Sequence, residues 1–175
     1  MLLNRVGMMT KWVYISVGSN LGDPLQNCRD GIETLCAHHA IRQLACSPFY
    51  HTAPQDFFEQ DWFVNAAIKI ETTLSPLDLL AVTRSVQERF GRKQQAAVRF
   101  GPRILDLDII LYQDVVLQTL ELTIPHPRMH KRRFVLQPVC DIDPTVVHPV
   151  LHIKLKELLN QVVVEGQALE PCSLG

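Results

Sequence analysis

An apolar segment that contains two aspartates one residue apart places the tightest constraint on how this chain folds. Residues 105–111 read Leu-Asp-Leu-Asp-Ile-Ile-Leu, a pattern that indicates a β-strand. Side chains of a strand alternate between its two faces, so Asp106 and Asp108 share one face. The other face is predicted to carry Leu105, Leu107, Ile109 and Leu111. Two carboxylates about 6–7 Å apart along a strand repel each other unless positive charge lies between them. A divalent cation, or a pair of them, would supply that charge.

Two arginines precede this strand. Arg99 and Arg103 flank Gly101-Pro102, which predicts a tight entry into the strand. Carboxylates that hold Mg²⁺, beside guanidinium groups that bind phosphate oxygens, are the components of a phosphoryl-transfer site. An isolated Asp-x-Asp pattern would equally fit a solvated acidic face on a half-exposed strand. The neighbouring arginines favour a nucleotide-phosphate site.

The composition is that of one globular domain. The chain has 175 residues, of which 47% are hydrophobic, and a chain of this size buries roughly 70% of its unfolded surface. We predict a single domain over residues 1–175, in which residues 1–8 are an extension without a role.

The charge balance bears on possible partners. Lys and Arg total 17 and Asp and Glu 18, so the chain lacks the excess of positive charge of nucleic-acid-binding proteins. No apolar run reaches the length of a membrane span. We expect a monomer that binds small molecules, and neither nucleic acid nor membrane.

Five cysteines are scattered along the chain, and none of them forms a Cys-x-x-Cys pair. An odd number without paired spacing is atypical of a disulfide framework or a zinc site. We therefore predict reduced thiols and a cytoplasmic protein.

Hydrophobic periodicity predicts an alternation of strands and helices ahead of the Asp-x-Asp strand. The predicted elements are a strand at 13–17, a helix capped by Asp23, strands at 41–49 and 62–70, and a helix between Ser75 and Gly91. The resulting β-α-β-β-α-β order is that of a ferredoxin-like α+β fold. Such a fold has an antiparallel sheet with helices on one face, which leaves the other face free for a site. The last third adds a C-terminal extension with two short helices.

Six motifs of the chain carry a family resemblance. They lie at residues 17–22, 47–54, 63–67, 91–92, 99–110 and 123–127, and the most specific reads Gly-Pro-Arg-Ile-Leu-Asp-Leu-Asp-Ile. Together they resemble 6-hydroxymethyl-7,8-dihydropterin pyrophosphokinase of folate biosynthesis, over residues 12–159. The resemblance implies an enzyme that transfers the β,γ-diphosphate of ATP to the hydroxymethyl group of a reduced pterin and releases AMP.

The resemblance also implies roles for individual residues. Asp106 and Asp108 would hold two Mg²⁺ ions between the ATP phosphates and the substrate hydroxyl, with Arg92 as a further catalytic residue. The expected nucleotide contacts are Arg92, Arg103, Ile109, Thr123, His126 and Arg132. The expected pterin contacts are Thr52, Ala53, Phe63, Asn65, Phe100 and Phe134. Aromatic faces and a side-chain amide suit a flat heterocycle, and Asn65 needs hydrogen-bond partners in its apolar strand.

The chain departs from the family pattern near the expected nucleotide site. Gln87 stands where glutamate is frequent, Gln94 replaces a second basic residue, and Phe100 replaces a tryptophan of many relatives. Arg84 replaces a frequent glutamine, and Glu121 replaces an arginine that contacts ATP in some members. Residues 55–61 and 92–98 are predicted to be lids that close over the nucleotide and exclude water.

Two other functions fit parts of the pattern. Polymerase-β-like nucleotidyltransferases also combine a Gly-Ser turn with an Asp-x-Asp strand, but there the two elements lie close in sequence. In this chain Ser19 and Asp106 are separated by two predicted helices and two predicted strands. A non-catalytic ferredoxin-like module would bind its ligand without needing the two aspartates.

Overall fold

A computed structural model describes residues 9–55, 60–91 and 101–172. Its main sheet contains six strands: β1 (Lys11–Ser19), β2 (Ile41–Cys46), β3 (Tyr50–Thr52), β4 (Phe63–Thr72), β5 (Asp106–Tyr112) and β8 (Leu169–Pro171). A small hairpin pairs β6 (Leu117–Gln118) with β7 (Thr123–Ile124). The α-helices are α1 (Pro24–Cys36), α2 (Pro76–Arg89), α3 (Arg133–Ile142) and α4 (Leu155–Gln161), and a 3-10 helix spans Met129–Lys131. No helix within these ranges combines the length and apolar character needed to cross a bilayer.

The sheet is antiparallel throughout, as the sequence predicts. Its strands follow the order β5-β1-β4-β3-β8, and β2 also pairs with β4. β2 and β3 pair with successive stretches of β4. The strand predicted at 41–49 therefore ends early, at Cys46, and the sequence did not predict β3 as a separate strand. The register places Gly18 of β1 between Asp106 of β5 and Asn65 of β4. This alignment places the strand with the predicted metal ligands on one side of Gly18 and the strand with a predicted pterin contact on the other.

Local sequence explains how the first two helices begin. The Asp23 side chain accepts a hydrogen bond from the backbone N–H of Gln26 at 3.1 Å, and Pro24 follows at the first helical position. Ser75 caps α2 in the same way through the N–H of Asp78 at 3.2 Å. Both are standard N-terminal arrangements. Gly91 follows α2 with a φ of +85°, a conformation that glycine adopts without strain.

Helices cover both faces of the sheet, which corrects the prediction of helices on one face only. Leu35 of α1 and Leu79 of α2 pack on one face. Val135 and Leu136 of α3 pack on the opposite face, against Tyr14. Tyr14 is fully buried, so this face also needs an apolar cover. The open part of that face, beyond α3, is where the candidate site lies.

A β-bulge alters the predicted alternation in β5. The pairing with β1 slips between Tyr14 and Ile15, which leaves Ile110 as an extra residue. Leu105, Leu107 and Ile109 therefore face α1 and α2 as predicted, whereas Leu111 belongs to the cluster beneath α3. The prediction for Leu111 was wrong because sequence alternation alone does not reveal an inserted residue.

Candidate active site

A cavity of about 320 Å³ lies where β1, β4 and β5 meet the segment that follows β7. Its wall includes the carboxylates of Asp106 and Asp108, side by side along β5. In the pairing with β1, Asp106 lies beside Gly18 and Asp108 lies beside Ser16. Glycine has no side chain and that of serine is small, which leaves space above the sheet. The predicted common face of the two aspartates is thus an open cavity wall.

Arg103 brings positive charge to this wall. Its Nε lies 3.9 Å from Asp106 Oδ2, and both side chains keep about a quarter of their surface exposed. A contact this long and this exposed contributes little to stability. Its main effect is to place a guanidinium group beside Asp106 on the cavity wall.

The donor set of this wall fits a hard divalent cation. Carboxylate oxygens are ligands that Mg²⁺ prefers, and Mg²⁺ sites in proteins use one or two carboxylates together with substrate phosphates and water. Within residues 9–55, 60–91 and 101–172, no group of three or more His, Cys, Asp and Glu side chains could hold a metal by itself. A two-aspartate wall therefore suits a metal that arrives with a phosphate ligand.

Asn20 forms hydrogen bonds with the residues just before β5 and with the segment at 60–61. Its backbone N–H donates to the carbonyl of Arg103 at 2.9 Å, and its Oδ1 accepts from the Arg103 N–H at 2.7 Å. Its Nδ2 donates to Gln60 Oε1 at 3.1 Å and to the Asp61 carbonyl at 3.2 Å. Asn20 is 3% exposed. One buried amide therefore links the turn after β1 to segments on both sides of the cavity.

Asn65 and Thr52 form the polar floor at the other end of the cavity. Asn65 Nδ2 donates to Thr52 Oγ1 at 2.6 Å, and both residues are buried. Gly18 lies directly beside this amide, because a Cβ atom at position 18 would meet Asn65 Oδ1 at 2.6 Å. Phe63, two residues before Asn65 on the same face of β4, also lines the cavity. This end of the cavity thus combines an aromatic ring with an oriented amide.

His126 lies near the aspartates in its neutral form. Burial, with the nearby guanidinium groups of Arg132 and Arg128, lowers its pKa from 6.5 to about 4, while the Asp106 carboxylate opposes this shift. Its Nδ1 accepts the Arg128 N–H at 3.2 Å, which leaves the ring proton on Nε2. The His126 backbone N–H donates to the Ile110 carbonyl at 2.9 Å and so holds the ring beside β5.

Arg132 and Phe134 form the wall that faces β4. The Arg132 guanidinium carbon lies 5.4 Å from the centre of the Phe134 ring, a cation–π distance. Both residues line the cavity at the start of α3. The stack combines positive charge with a flat apolar surface.

Comparison with known proteins identifies the family. The family model for 7,8-dihydro-6-hydroxymethylpterin-pyrophosphokinase matches residues 14–144, three quarters of the chain. The chain belongs to this pyrophosphokinase family. The match confirms the resemblance carried by the six sequence motifs.

Individual relatives agree with this assignment. The folic acid synthesis protein fol1 of Schizosaccharomyces pombe is 39% identical over 156 residues, which cover 89% of this chain and 21% of the relative. Folic acid synthesis protein FOL1 of Dictyostelium discoideum is 43% identical over 141 residues, 81% of this chain and 21% of the relative. The 2-amino-4-hydroxy-6-hydroxymethyldihydropteridine pyrophosphokinase of Bacillus subtilis is 39% identical over 134 residues, 77% of this chain and 79% of the relative. The chain thus spans about a fifth of the length of the first two relatives and most of the third.

The fold also matches a solved structure. A crystal structure of wild-type Plasmodium falciparum HPPK-DHPS with pteroate has a TM-score of 0.71 to this chain. The match covers 87% of this chain and 42% of that chain, at 15% identity. It shows that the two chains share one fold over most of the length of this chain.

The cavity brings most of the predicted site residues together. Those that line it are Asp106, Asp108, Arg103, His126, Arg132, Thr52, Ala53, Phe63, Asn65 and Phe134. Ile109 and Thr123 line a neighbouring cleft instead, which shares Asp108 and His126 with the cavity. Arg92, Phe100 and most of the two predicted lids lie outside the described residues.

Sequence reasoning missed several residues of this candidate site. Ser16 and Gly18 were not predicted, because they enter the cavity only through their register with the two aspartates. Asn20 was seen only as part of a turn, although a buried amide in a Gly-Ser-Asn turn signals hydrogen-bond partners elsewhere. Arg128 also lines the cavity, two residues after His126.

Proposed function

We propose that this chain transfers the β,γ-diphosphate of ATP to the hydroxymethyl group of 6-hydroxymethyl-7,8-dihydropterin. One observation carries the proposal. A single cavity is lined by the aspartate pair, by the amide and aromatic side chains of Asn65 and Phe63, and by Arg103, Arg132 and neutral His126. Membership in the pyrophosphokinase family supports the same reaction.

The proposed reaction balances with ATP and the pterin as the only reactants. The hydroxymethyl oxygen of the pterin attacks the β-phosphorus of ATP, and the bond from that phosphorus to the α,β-bridging oxygen breaks. The pterin diphosphate and AMP are the products, and the hydroxyl proton leaves to solvent. In-line transfer needs the attacking oxygen and the leaving oxygen on opposite sides of the phosphorus. A cavity lined both by amide and aromatic side chains and by guanidinium groups supports this arrangement.

Asp106 and Asp108 would hold two Mg²⁺ ions beneath the triphosphate. When bound, the ions would neutralise phosphate charge and lower the pKa of the substrate hydroxyl. The aspartates themselves keep the metal-binding oxygens on one face of a rigid strand. Arg103 and the proposed catalytic residue Arg92 would bind phosphate oxygens as bidentate donors.

The other polar residues of the cavity, His126 and Arg132, would bind the nucleotide. Neutral His126 can donate from Nε2 to a phosphate oxygen without adding a full positive charge, and Arg132 adds a guanidinium group. Ile109 and Thr123 would contact the nucleoside part of ATP, since the cleft they line adjoins the cavity at Asp108 and His126.

The other end of the cavity would bind the pterin. Asn65 presents an amide whose Nδ2 is oriented by Thr52, and an amide can both donate to and accept from the polar edge of the heterocycle. Phe63 and Phe134 offer aromatic faces to the flat bicycle, with Ala53 beside them. We include Phe100 in this pocket on the family resemblance.

Further properties of the chain belong to the same proposal. β2 and β3 both pair with β4. Counted as one interrupted strand, they would complete the ferredoxin-like order that we propose. The five cysteines are free thiols, which supports a reducing compartment such as the cytoplasm.

We propose a single-domain monomer whose segments 55–61 and 92–98 close over bound ATP. Sedimentation tests the monomer, and amide exchange with and without ligands tests the closure of the two segments.

Product analysis tests the proposed function. The purified chain is incubated with ATP, Mg²⁺ and 6-hydroxymethyl-7,8-dihydropterin, and the nucleotides are separated by chromatography. We expect AMP and pterin diphosphate in equal amounts, and neither product without the pterin. Release of inorganic diphosphate with a nucleotidylated acceptor would instead indicate a nucleotidyltransferase, and binding without turnover would indicate a non-catalytic module.

A further inference from the structure

A buried glutamine of α2 reaches the strand that carries the two aspartates. Gln87 lies in the last turns of the helix, and only 2% of its surface is exposed. Its Oε1 accepts the backbone N–H of Leu107 at 3.2 Å, and its Nε2 donates to the carbonyl of Thr83 at 3.2 Å. The side chain therefore connects the helix backbone to the residue between Asp106 and Asp108.

The position of Leu107 in the sheet makes this contact structurally important. β5 is the terminal strand in the order β5-β1-β4-β3-β8, so among the described residues no strand of that sheet pairs with its outer backbone edge. Leu107 is 3% exposed. A buried backbone N–H at such an edge needs an acceptor from elsewhere. The Gln87 amide provides one.

The same contact determines how the aspartates are oriented. The Leu107 N–H belongs to the planar peptide group that joins Asp106 to Leu107. Rotation of that plane changes the backbone angles on both sides of it, and with them the relative directions of the two carboxylates. An acceptor fixed to a helix opposes that rotation from the side of β5 that does not pair with β1. An amide suits the position, because one end accepts from Leu107 and the other donates to Thr83.

We propose that Gln87 is a positioning residue for the carboxylate pair, which it aligns through the Leu107 peptide without contacting substrate. The inference rests on the proposed function, in which that pair binds the metal ions. Groups that orient metal ligands from behind commonly change metal affinity by about 10–100-fold when they are removed.

The test compares Gln87→Met with wild type. Methionine keeps the length and the helix propensity but neither accepts from Leu107 nor donates to Thr83. Mn²⁺ binding is measured by electron paramagnetic resonance with an ATP analogue that carries a methylene group at the α,β bridge. We expect Mn²⁺ affinity to fall about 10–100-fold and kcat to fall with it, whereas the Kd of the pterin alone stays unchanged.

Thr83→Val is the matched control on the same helix. It removes the hydrogen bond from Thr83 Oγ1 to the Leu80 carbonyl and leaves the Thr83 carbonyl and Gln87 in place. Thermal unfolding without metal is recorded for both variants. If Thr83→Val weakens Mn²⁺ binding as much as Gln87→Met does, or if folded Gln87→Met keeps wild-type Mn²⁺ affinity, the proposal is overturned.

Two further measurements keep the test decisive if Gln87→Met does not fold. Gln87→Glu keeps an acceptor for Leu107, so we expect its Mn²⁺ affinity not to weaken, and a tenfold loss would contradict the proposal. In the wild type, we expect the Leu107 amide to exchange at least about 100-fold more slowly than an unprotected amide; exchange at the unprotected rate would also contradict it. If the wild type forms no AMP, the proposed function is contradicted. If the wild type forms AMP and Gln87→Met keeps wild-type Mn²⁺ affinity, only the role of Gln87 is contradicted.

Discussion

At the scale of single residues, the two aspartates are the side chains on which the proposed chemistry depends most. We expect Asp106→Asn and Asp108→Asn each to lower kcat by about three orders of magnitude, because charge stabilisation by a bound metal contributes several kcal/mol. The exposed Asp114 follows the same strand, and Asp114→Asn is the control. Rates of AMP formation measure the effect, and activity within threefold of wild type in either variant would contradict the metal-binding role.

Gly18 tests the orientation of the Asn65 amide. A Cβ at position 18 would come within 2.6 Å of Asn65 Oδ1, so Gly18→Ala must displace that side chain from its bond to Thr52. We expect the Kd of the pterin, measured by fluorescence titration, to rise about tenfold, a loss typical of one well-placed hydrogen bond. ATP-analogue binding serves as the internal control, and an equal loss for both ligands would indicate general damage to the sheet.

His126 gives the stability of the protein a defined dependence on pH. The pKa of His126 is about 4 in the folded chain, whereas its ordinary value is 6.5. Between pH 4 and pH 6.5 the unfolded chain therefore binds more protons than the folded chain. Stability from this group is therefore fully present above pH 6.5 and decreases as the pH falls towards 4, by roughly 3 kcal/mol at most. The free energy of unfolding of His126→Gln, measured with urea, should decrease less between pH 7.5 and pH 5 than that of the wild type. The exposed His51, as His51→Gln, is the control and should keep the wild-type slope.

At the scale of secondary structure, the sequence predicts an element well when its signal is local. Asp23-Pro24 and Ser75-Pro76 begin α1 and α2 because a cap and a proline act within one turn. The bulge at Ile110 and the break between β2 and β3 depend on how strands pair over long separations. These features have no local signal, so the face of Leu111 could not be predicted.

α1 packs against Leu105, the residue just before β5, and this contact depends on a glycine within the helix. A Cβ at Gly31 would lie 2.6 and 2.7 Å from the two Cδ atoms of Leu105, which is buried. Gly31→Ala gains helix propensity but forces the core apart next to Asp106, and we expect a net destabilisation of about 1–3 kcal/mol. Urea unfolding measures it, with exposed Glu33→Ala of the same helix as the control. An increase in stability for Gly31→Ala would show that Leu105 moves aside without cost.

At the scale of the whole molecule, the sequence predicted the aspartate pair on one face of a strand, but not the outline of the cavity around it. The aspartate pair is recognisable because both residues lie on one strand. The cavity around it is assembled from β1, β3, β4, the segment at 126–128 and the start of α3, which meet only in the folded chain. The sequence also gave no sign that α3 would cover part of the sheet face on which the site lies.

The last strand of the chain joins two walls of this cavity. β8 pairs with β3, which carries Thr52, and the Ala53 N–H donates to the Ala168 carbonyl at 3.0 Å. Just before β8, Gln167 Oε1 accepts the Arg133 N–H at 2.8 Å, and its Nε2 donates to the Lys131 carbonyl at 3.1 Å. One segment therefore holds the β3 wall and the start of α3 at a fixed separation.

Removal of the Gln167 side chain should loosen both walls together. We expect Gln167→Ala to lose about 1–2 kcal/mol of stability, since at least two backbone groups lose a hydrogen-bond partner. That loss corresponds to a decrease in Tm of about 2–8 °C for a chain of this size. Pterin affinity should also fall, because Phe134 directly follows the Arg133 that Gln167 holds. Exposed Glu165→Ala is the control. A Gln167→Ala variant with lowered Tm but unchanged pterin Kd would mean that the segment stabilises the fold without shaping the cavity.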